Sequence, residues 1–161
     1  MSTISLENKK ILIVDDEPDV LDSLEELLDM STTVRATSFE EANHLLETED
    51  FDIAILDIMG VDGYQLLETA NKKNVVAVML TAHALSPDNI KKSYRGGACS
   101  YIPKEEMINI ETFLVDVLTA KEKGENPWTS WYKRLGSFCE KKFGPDWDKD
   151  EKEFWEKMIY Y

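Results

Sequence analysis

The chain of 161 residues predicts an α/β protein: a parallel sheet covered by helices on both faces, with a small helical appendage at its C-terminal end. Three observations predict it. Short runs rich in β-branched residues alternate five times with stretches that repeat their apolar residues at helical spacing, which is the pattern of strand and crossover helix. The polar run over residues 121–127, with Gly124 and Pro127, interrupts that alternation. The formal charge of -14 falls within the first 120 residues, while the remainder is neutral and carries all four tryptophans. Two units follow, residues 1–123 and residues 124–161.

Residues 11–14 read as a buried strand, and Val20, Leu21, Leu24, Leu27 and Leu28 then form one helical stripe. Residues 32–36 make a weaker strand, followed by Ser38 and Glu41 in capping-box spacing. Residues 51–56 and 75–80 are further buried strands. Ser86 followed by Pro87 opens a helix that Gly96 and Gly97 close. Residues 100–102 form the fifth strand, and Met107, Ile110, Phe113, Leu114, Val117 and Leu118 the stripe of the helix after it. In the appendage, Trp128, Trp131, Tyr132, Leu135, Phe138, Cys139 and Phe143 share one face, ended by Gly144 and Pro145. Phe154, Trp155, Met158 and Ile159 share another, behind a cap formed by Asp148 with Glu151. Two helices so spaced make a hairpin with more aromatic surface than it can hide alone. It either packs back on the first unit or completes a small core of its own, or else docks on a partner or a second copy of the chain.

Composition narrows the function. An acidic field repels phosphate backbones and anionic membrane surfaces, so nucleic acid and membrane are disfavoured as partners. Two cysteines in apolar company, Cys99 and Cys139, argue against a disulfide framework and for a reducing compartment, the cytoplasm. No paired His or Cys spacing supports a zinc site. In an open α/β sheet, ligands bind outside the carboxyl ends of the strands. There the first strand runs into Asp15, Asp16 and Glu17, the third into Asp57, the fourth into Thr81 and the fifth into Lys104. Crowded carboxylates repel one another unless a cation sits among them, and an all-oxygen set suits Mg2+. A carboxylate beside Mg2+ and an ammonium can attack a phosphoryl group and form an acyl phosphate. Asp57 is the preferred nucleophile because it ends a central buried strand. Asp15 and Asp16 are then the metal ligands, and Lys104 and the Thr81 hydroxyl meet the phosphoryl oxygens.

The segments ILIVDDEP, AILDIM, VMLTAH and YIPK, in this order and at these separations, resemble the signatures of the response-regulator receiver domain of two-component signalling. The resemblance covers roughly residues 8–120. It implies a flavodoxin-like (βα)5 doubly wound sheet in the order 2-1-3-4-5. It also implies that Asp57 accepts phosphate from a histidine kinase or histidine phosphotransfer protein, with Asp15, Asp16, Asp57 and the Met59 carbonyl holding Mg2+. Thr81 and the ring of Tyr101 would be the switch pair, and His83 stands where the family tunes dephosphorylation. Downstream output would pass through protein contacts, and a homodimer is left open. Two features depart from the family pattern. The loop Ile58, Met59, Gly60, Val61, Asp62, Gly63 is about two residues short and lacks its proline. Glu105, in place of proline, follows Lys104 and predicts a trans bond. Two other functions fit parts of the pattern: a degenerate receiver acting only as an interaction module, and a Mg2+-dependent aspartate-nucleophile phosphohydrolase. The latter would want a second Asp two residues after Asp15, where Glu17 stands.

Overall fold

The computed structural model describes residues 4–82, 86–148 and 152–160. Five parallel strands, β1 (Lys10–Val14), β2 (Thr32–Ala36), β3 (Ile53–Asp57), β4 (Val76–Thr81) and β5 (Tyr101–Pro103), pair in the order β2-β1-β3-β4-β5. The central strands are apolar on both faces because helices cover both, and every residue of β3 is buried. The crossovers are α1 (Pro18–Leu27), α2 (Phe39–Thr48), α3 (Gly63–Lys72) and α4 (Pro87–Arg95), with α5 (Ile110–Lys123) closing the last unit. This is the doubly wound sheet expected from the alternation, with β2 and β5 as its edges.

Local chemistry sets the helix ends. The Ser38 hydroxyl accepts from the Glu41 amide at 3.2 Å, and Glu41 Oε1 in turn accepts from the Thr37 amide at 2.9 Å, one residue further out than a strict capping box. Ser86 accepts from the Asn89 amide at 3.1 Å, and Pro87 occupies the first turn of α4. Gly124 ends α5 with φ of +69°, a left-handed conformation that glycine adopts without strain. Several bounds shift: β1 opens one residue earlier, at Lys10, and β4 and β5 each lie one residue later than expected. The third strand begins at Ile53, because Phe51 precedes the ladder. The helix after β5 begins at Ile110, and Met107 instead lies in a 3-10 segment, Lys104–Asn109. The described residues contain no cis peptide, so the Lys104–Glu105 bond is trans as the missing proline requires. His83, and Glu151 of the proposed Asp148 cap, lie outside the described residues.

The appendage forms α6 (Pro127–Phe143) and α7 (Lys152–Tyr160). Of the two dockings its aromatic surplus allowed, the structure shows the intramolecular one. Trp128, Trp131, Leu135, Cys139, Trp155, Met158 and Ile159 belong to the same buried cluster as the sheet core. Both cysteines are buried free thiols. Among the described residues, no helix is long and apolar enough to cross a membrane.

Candidate functional site

The carboxyl ends of the strands converge as the topology demands. Asp15 directly follows β1, Asp57 is the last residue of β3, Thr81 the last of β4, and Lys104 directly follows β5. Asp15, Asp57 and Thr81 are buried, whereas Asp16 and Glu17 are exposed, so the site is a rim with a dry floor and a wet lip.

The Lys104 ammonium sits at the centre of this rim. Its Nζ lies 2.9 Å from Asp15 Oδ2, 3.3 Å from Glu17 Oε1 and 3.7 Å from Asp57 Oδ1. Asp15 Oδ1 accepts from the Glu17 amide at 2.9 Å, whereas its Oδ2, fully buried, takes no properly directed hydrogen bond among the described residues and has only the ion pair with Lys104. Asp57 Oδ2 accepts from the Gly60 amide at 3.2 Å, which leaves Oδ1 facing Lys104. Burial pushes the Asp15 carboxyl above its ordinary value, against the pull of Lys104 and the Glu17 amide. Burial and then the neighbouring Asp15 charge push Asp57 up as well, against Lys104 and the Gly60 amide. For Lys104, burial works against the charged form, but Asp15, Asp57 and Glu17 outweigh it and hold the ammonium above its ordinary value. The pocket is thus short of positive charge: one ammonium serves three carboxylates.

That shortage is the test of whether a metal fits. Oxygens of Asp15, Asp16 and Glu17 lie within 4.8 Å of one another. A set of hard oxygen donors with one buried lone pair left unsatisfied suits a small divalent cation such as Mg2+.

Thr81 pairs in register with Pro103, next to Lys104, and so shares the rim. Tyr101 does not: its ring is buried two residues further back in β5, where the Ser86 backbone binds its hydroxyl and burial raises its pKa. Met59 lies in the turn after β3 with its side chain 65 % exposed. Two contributors were given no role of their own in the sequence reading. Glu17 reaches Lys104, a role the DDE run could have hinted at. Gly60 supplies the amide on Asp57, and a Cβ there would stand 2.4 Å from the Asp16 carboxylate; the shortened loop was the available signal.

Comparison with known proteins agrees with this geometry. The family model of the response regulator receiver domain matches residues 11–113. A two-component response regulator of Arabidopsis thaliana is 34 % identical over 102 residues, which cover 59 % of this chain and 16 % of the relative. The heme response regulator of Staphylococcus aureus strain Newman is 36 % identical over 98 residues, covering 58 % of this chain and 43 % of the relative. The chain therefore spans less than half the length of these curated relatives. Among solved structures, a CheY-like response regulator receiver domain protein from Methanospirillum hungatei superposes with a TM-score of 0.59 at 31 % identity, covering 68 % of this chain and 95 % of that one.

Proposed function

Since the chain belongs to the response-regulator receiver domain family of two-component signalling, we propose that it accepts a phosphoryl group on Asp57 from a histidine kinase or histidine phosphotransfer protein and signals through protein contacts. The observation that carries this reading is the Lys104 ammonium held between Asp15 and Asp57, with Asp57 Oδ1 turned toward it and Oδ2 tied to the Gly60 amide.

In the transfer, Asp57 Oδ1 forms the new P–O bond as the P–N bond to the donor imidazole breaks. The imidazole keeps the bonding electron pair and gains a proton from solvent, and the product is an acyl phosphate. Lys104 neutralises charge on the transferring oxygens, and the Thr81 hydroxyl donates a hydrogen bond to one of them. Asp15 and Asp16 would hold Mg2+, with Glu17 at the lip and the Met59 carbonyl as a further ligand; the ion supplies charge neutralisation for the phosphoryl group. Slow hydrolysis of the acyl phosphate returns the protein to its resting state. The acidic body disfavours nucleic acid and anionic membranes as direct targets, and the cytoplasm suits its two free thiols.

Intact mass spectrometry with acetyl phosphate and Mg2+ tests the reading. One added phosphoryl group, mapped to Asp57 and abolished in Asp57→Asn, is the expected result. Absence of that adduct on the wild-type chain refutes phosphoacceptance.

A further inference from the structure

Helix α6 has two distinct faces, and only one is turned to the sheet. Trp128, Trp131, Leu135 and Cys139 are buried on that face, in the same cluster as the sheet core. There Trp128 Nε1 donates to the Ala98 carbonyl at 3.0 Å and Trp131 Nε1 to the Tyr101 carbonyl at 2.6 Å. Arg134 pairs with Asp116, and Lys142 with Glu105 at 3.3 Å, so the helix is fixed along its length. The adjacent stripe runs from Thr129 through Tyr132, Lys133 and Gly136 to Glu140 and lines a cavity of about 450 Å³. Trp147 and Asp148 reach it from the turn after α6, and Ile159 from α7. Its volume is that of a small-molecule site.

Gly136 is the residue this cavity explains. It stands in the interior of a 17-residue helix, where glycine is the poorest choice after proline. The backbone does not require it, since its φ is not positive. Nor does packing, since a Cβ there would meet the Tyr132 ring at 3.6 Å, an ordinary contact. What the missing side chain does is keep the cavity floor open. The walls are set in advance. The Tyr132 hydroxyl donates to Asp148 Oδ2 at 3.0 Å, and the Tyr132 and Trp147 rings are stacked with centroids 6.2 Å apart. Trp155 braces Trp147 edge-on at 5.0 Å, and Thr129 Oγ1 donates to the Ile159 carbonyl, tying α6 to α7.

We propose that this cavity binds a small organic cation, an amine or guanidine carried on an apolar body. Aromatic faces attract positive charge, and those of Trp and Tyr do so most strongly. Glu140 and Asp148 bring two negative charges to the lining against the one positive charge of Lys133. Lys133 precedes Glu140 by seven residues, about 10 Å along the helix, so it repels a cation at one end of the stripe while Glu140 attracts it at the other. The head of the ligand lies toward Glu140 and its apolar body on the Gly136 floor, beside the Tyr132 and Trp147 rings. None of these residues belongs to the Asp57 rim, and the proposal does not depend on phosphoacceptance.

The full-length chain at neutral pH is titrated with three probes of one shape: phenethylamine, a cation; 2-phenylethanol, neutral; and phenylacetate, an anion. Amide and indole N–H resonances read the binding. Phenethylamine should give saturable shifts centred on Gly136, Ser137 and Trp147 and bind at least about tenfold more tightly than the alcohol, with phenylacetate weakest. Glu140→Gln should lose about two- to fivefold of the amine affinity and leave the alcohol unchanged. Gly136→Leu, which fills the floor, should abolish amine binding. Gly136→Ala should melt above the parent, because the helix gains a better former, and bind the amine more weakly. If Gly136→Leu does not fold, the Gly136→Ala and Glu140→Gln titrations decide. The proposal is overturned by an amine that gives no saturable shift or shifts centred elsewhere, by an alcohol or phenylacetate that binds as tightly, or by undiminished binding in Gly136→Leu or Gly136→Ala. A Gly136→Ala protein that melts below the parent overturns it too, since the fold itself would then require the glycine.

Discussion

Two glycines three residues apart in the same short loop should answer the same substitution in opposite ways. A Cβ on Gly60 would lie 2.4 Å from the Asp16 carboxylate, whereas a Cβ on Gly63 would lie 2.1 Å from the Asp57 carbonyl oxygen and 2.9 Å from Ile58 Cα. Ordinary contact needs well over 3 Å, so each site must open by about 1 Å. At Gly60 the obstacle is the tip of an exposed side chain, which can swing into solvent. At Gly63 it is backbone at the end of a central strand, which cannot. Gly60→Ala should therefore lower stability by less than about 1 kcal/mol, while Gly63→Ala should cost on the order of 1–3 kcal/mol or more, as overpacking does. At about 2–4 °C per kcal/mol for a chain of this length, the second variant melts several degrees lower. Swinging Asp16 away removes one oxygen of the acidic cluster, so Gly60→Ala should weaken Mg2+ binding by about 10- to 100-fold, the usual effect of disturbing the surroundings of a metal ligand. Urea or thermal unfolding and calorimetric titration with Mg2+ measure the two quantities. A Gly60→Ala protein that binds Mg2+ as tightly as the parent, or a Gly63→Ala protein of parental stability, would refute this account of the loop.

The pocket also dictates a pH dependence. Asp15 and Asp57 have folded pKa values raised above the 3.8 of the open chain, so between the two values the folded state binds more protons, and stability without Mg2+ falls as pH rises through that window. Thermal unfolding against pH should show this slope, and Asp57→Asn should flatten it and be the more stable protein at neutral pH; a steeper slope in the variant would contradict the charge assignment. Lys104→Met should act in two directions. Loss of the ammonium leaves Asp15 and Asp57 uncompensated and should cost about 1–3 kcal/mol, less than a fully enclosed pair because Asp16 and Glu17 open the rim to water. The same loss deepens the negative field, so Mg2+ should bind more tightly while acyl phosphate formation slows; weaker Mg2+ binding in calorimetry would count against the electrostatic argument.

Much of this was legible in the primary structure, and the reasons differ by residue. The sheet could be read because β1, β3 and β4 are buried on both sides, which demands unbroken apolar runs. Asp15, Asp57, Thr81 and Lys104 could be read because each interrupts or ends such a run. Boundaries were less visible: Phe51 and Met107 are apolar for packing outside the ladder and outside the helix, and apolarity does not distinguish those uses. Glu17 and Gly60 act through a side chain reaching across strands and through a backbone amide, neither of which leaves a periodic trace. The tryptophans announced that something had to cover them, but the seat depends on one carbonyl of the edge strand, Tyr101, and one in the segment before it, Ala98.

That edge carries a practical cost for anyone shortening the protein. On the opposite side of the sheet, β2 is guarded by Arg35, whose guanidinium is locked to Asp22 and Glu25 at 2.6 and 2.8 Å. β5 has no such charge, and its Tyr101 carbonyl depends on the Trp131 indole. A fragment ending at Gly124 would bare acceptors that another molecule's strand can satisfy, and its first defect would be self-association and poor solubility on storage.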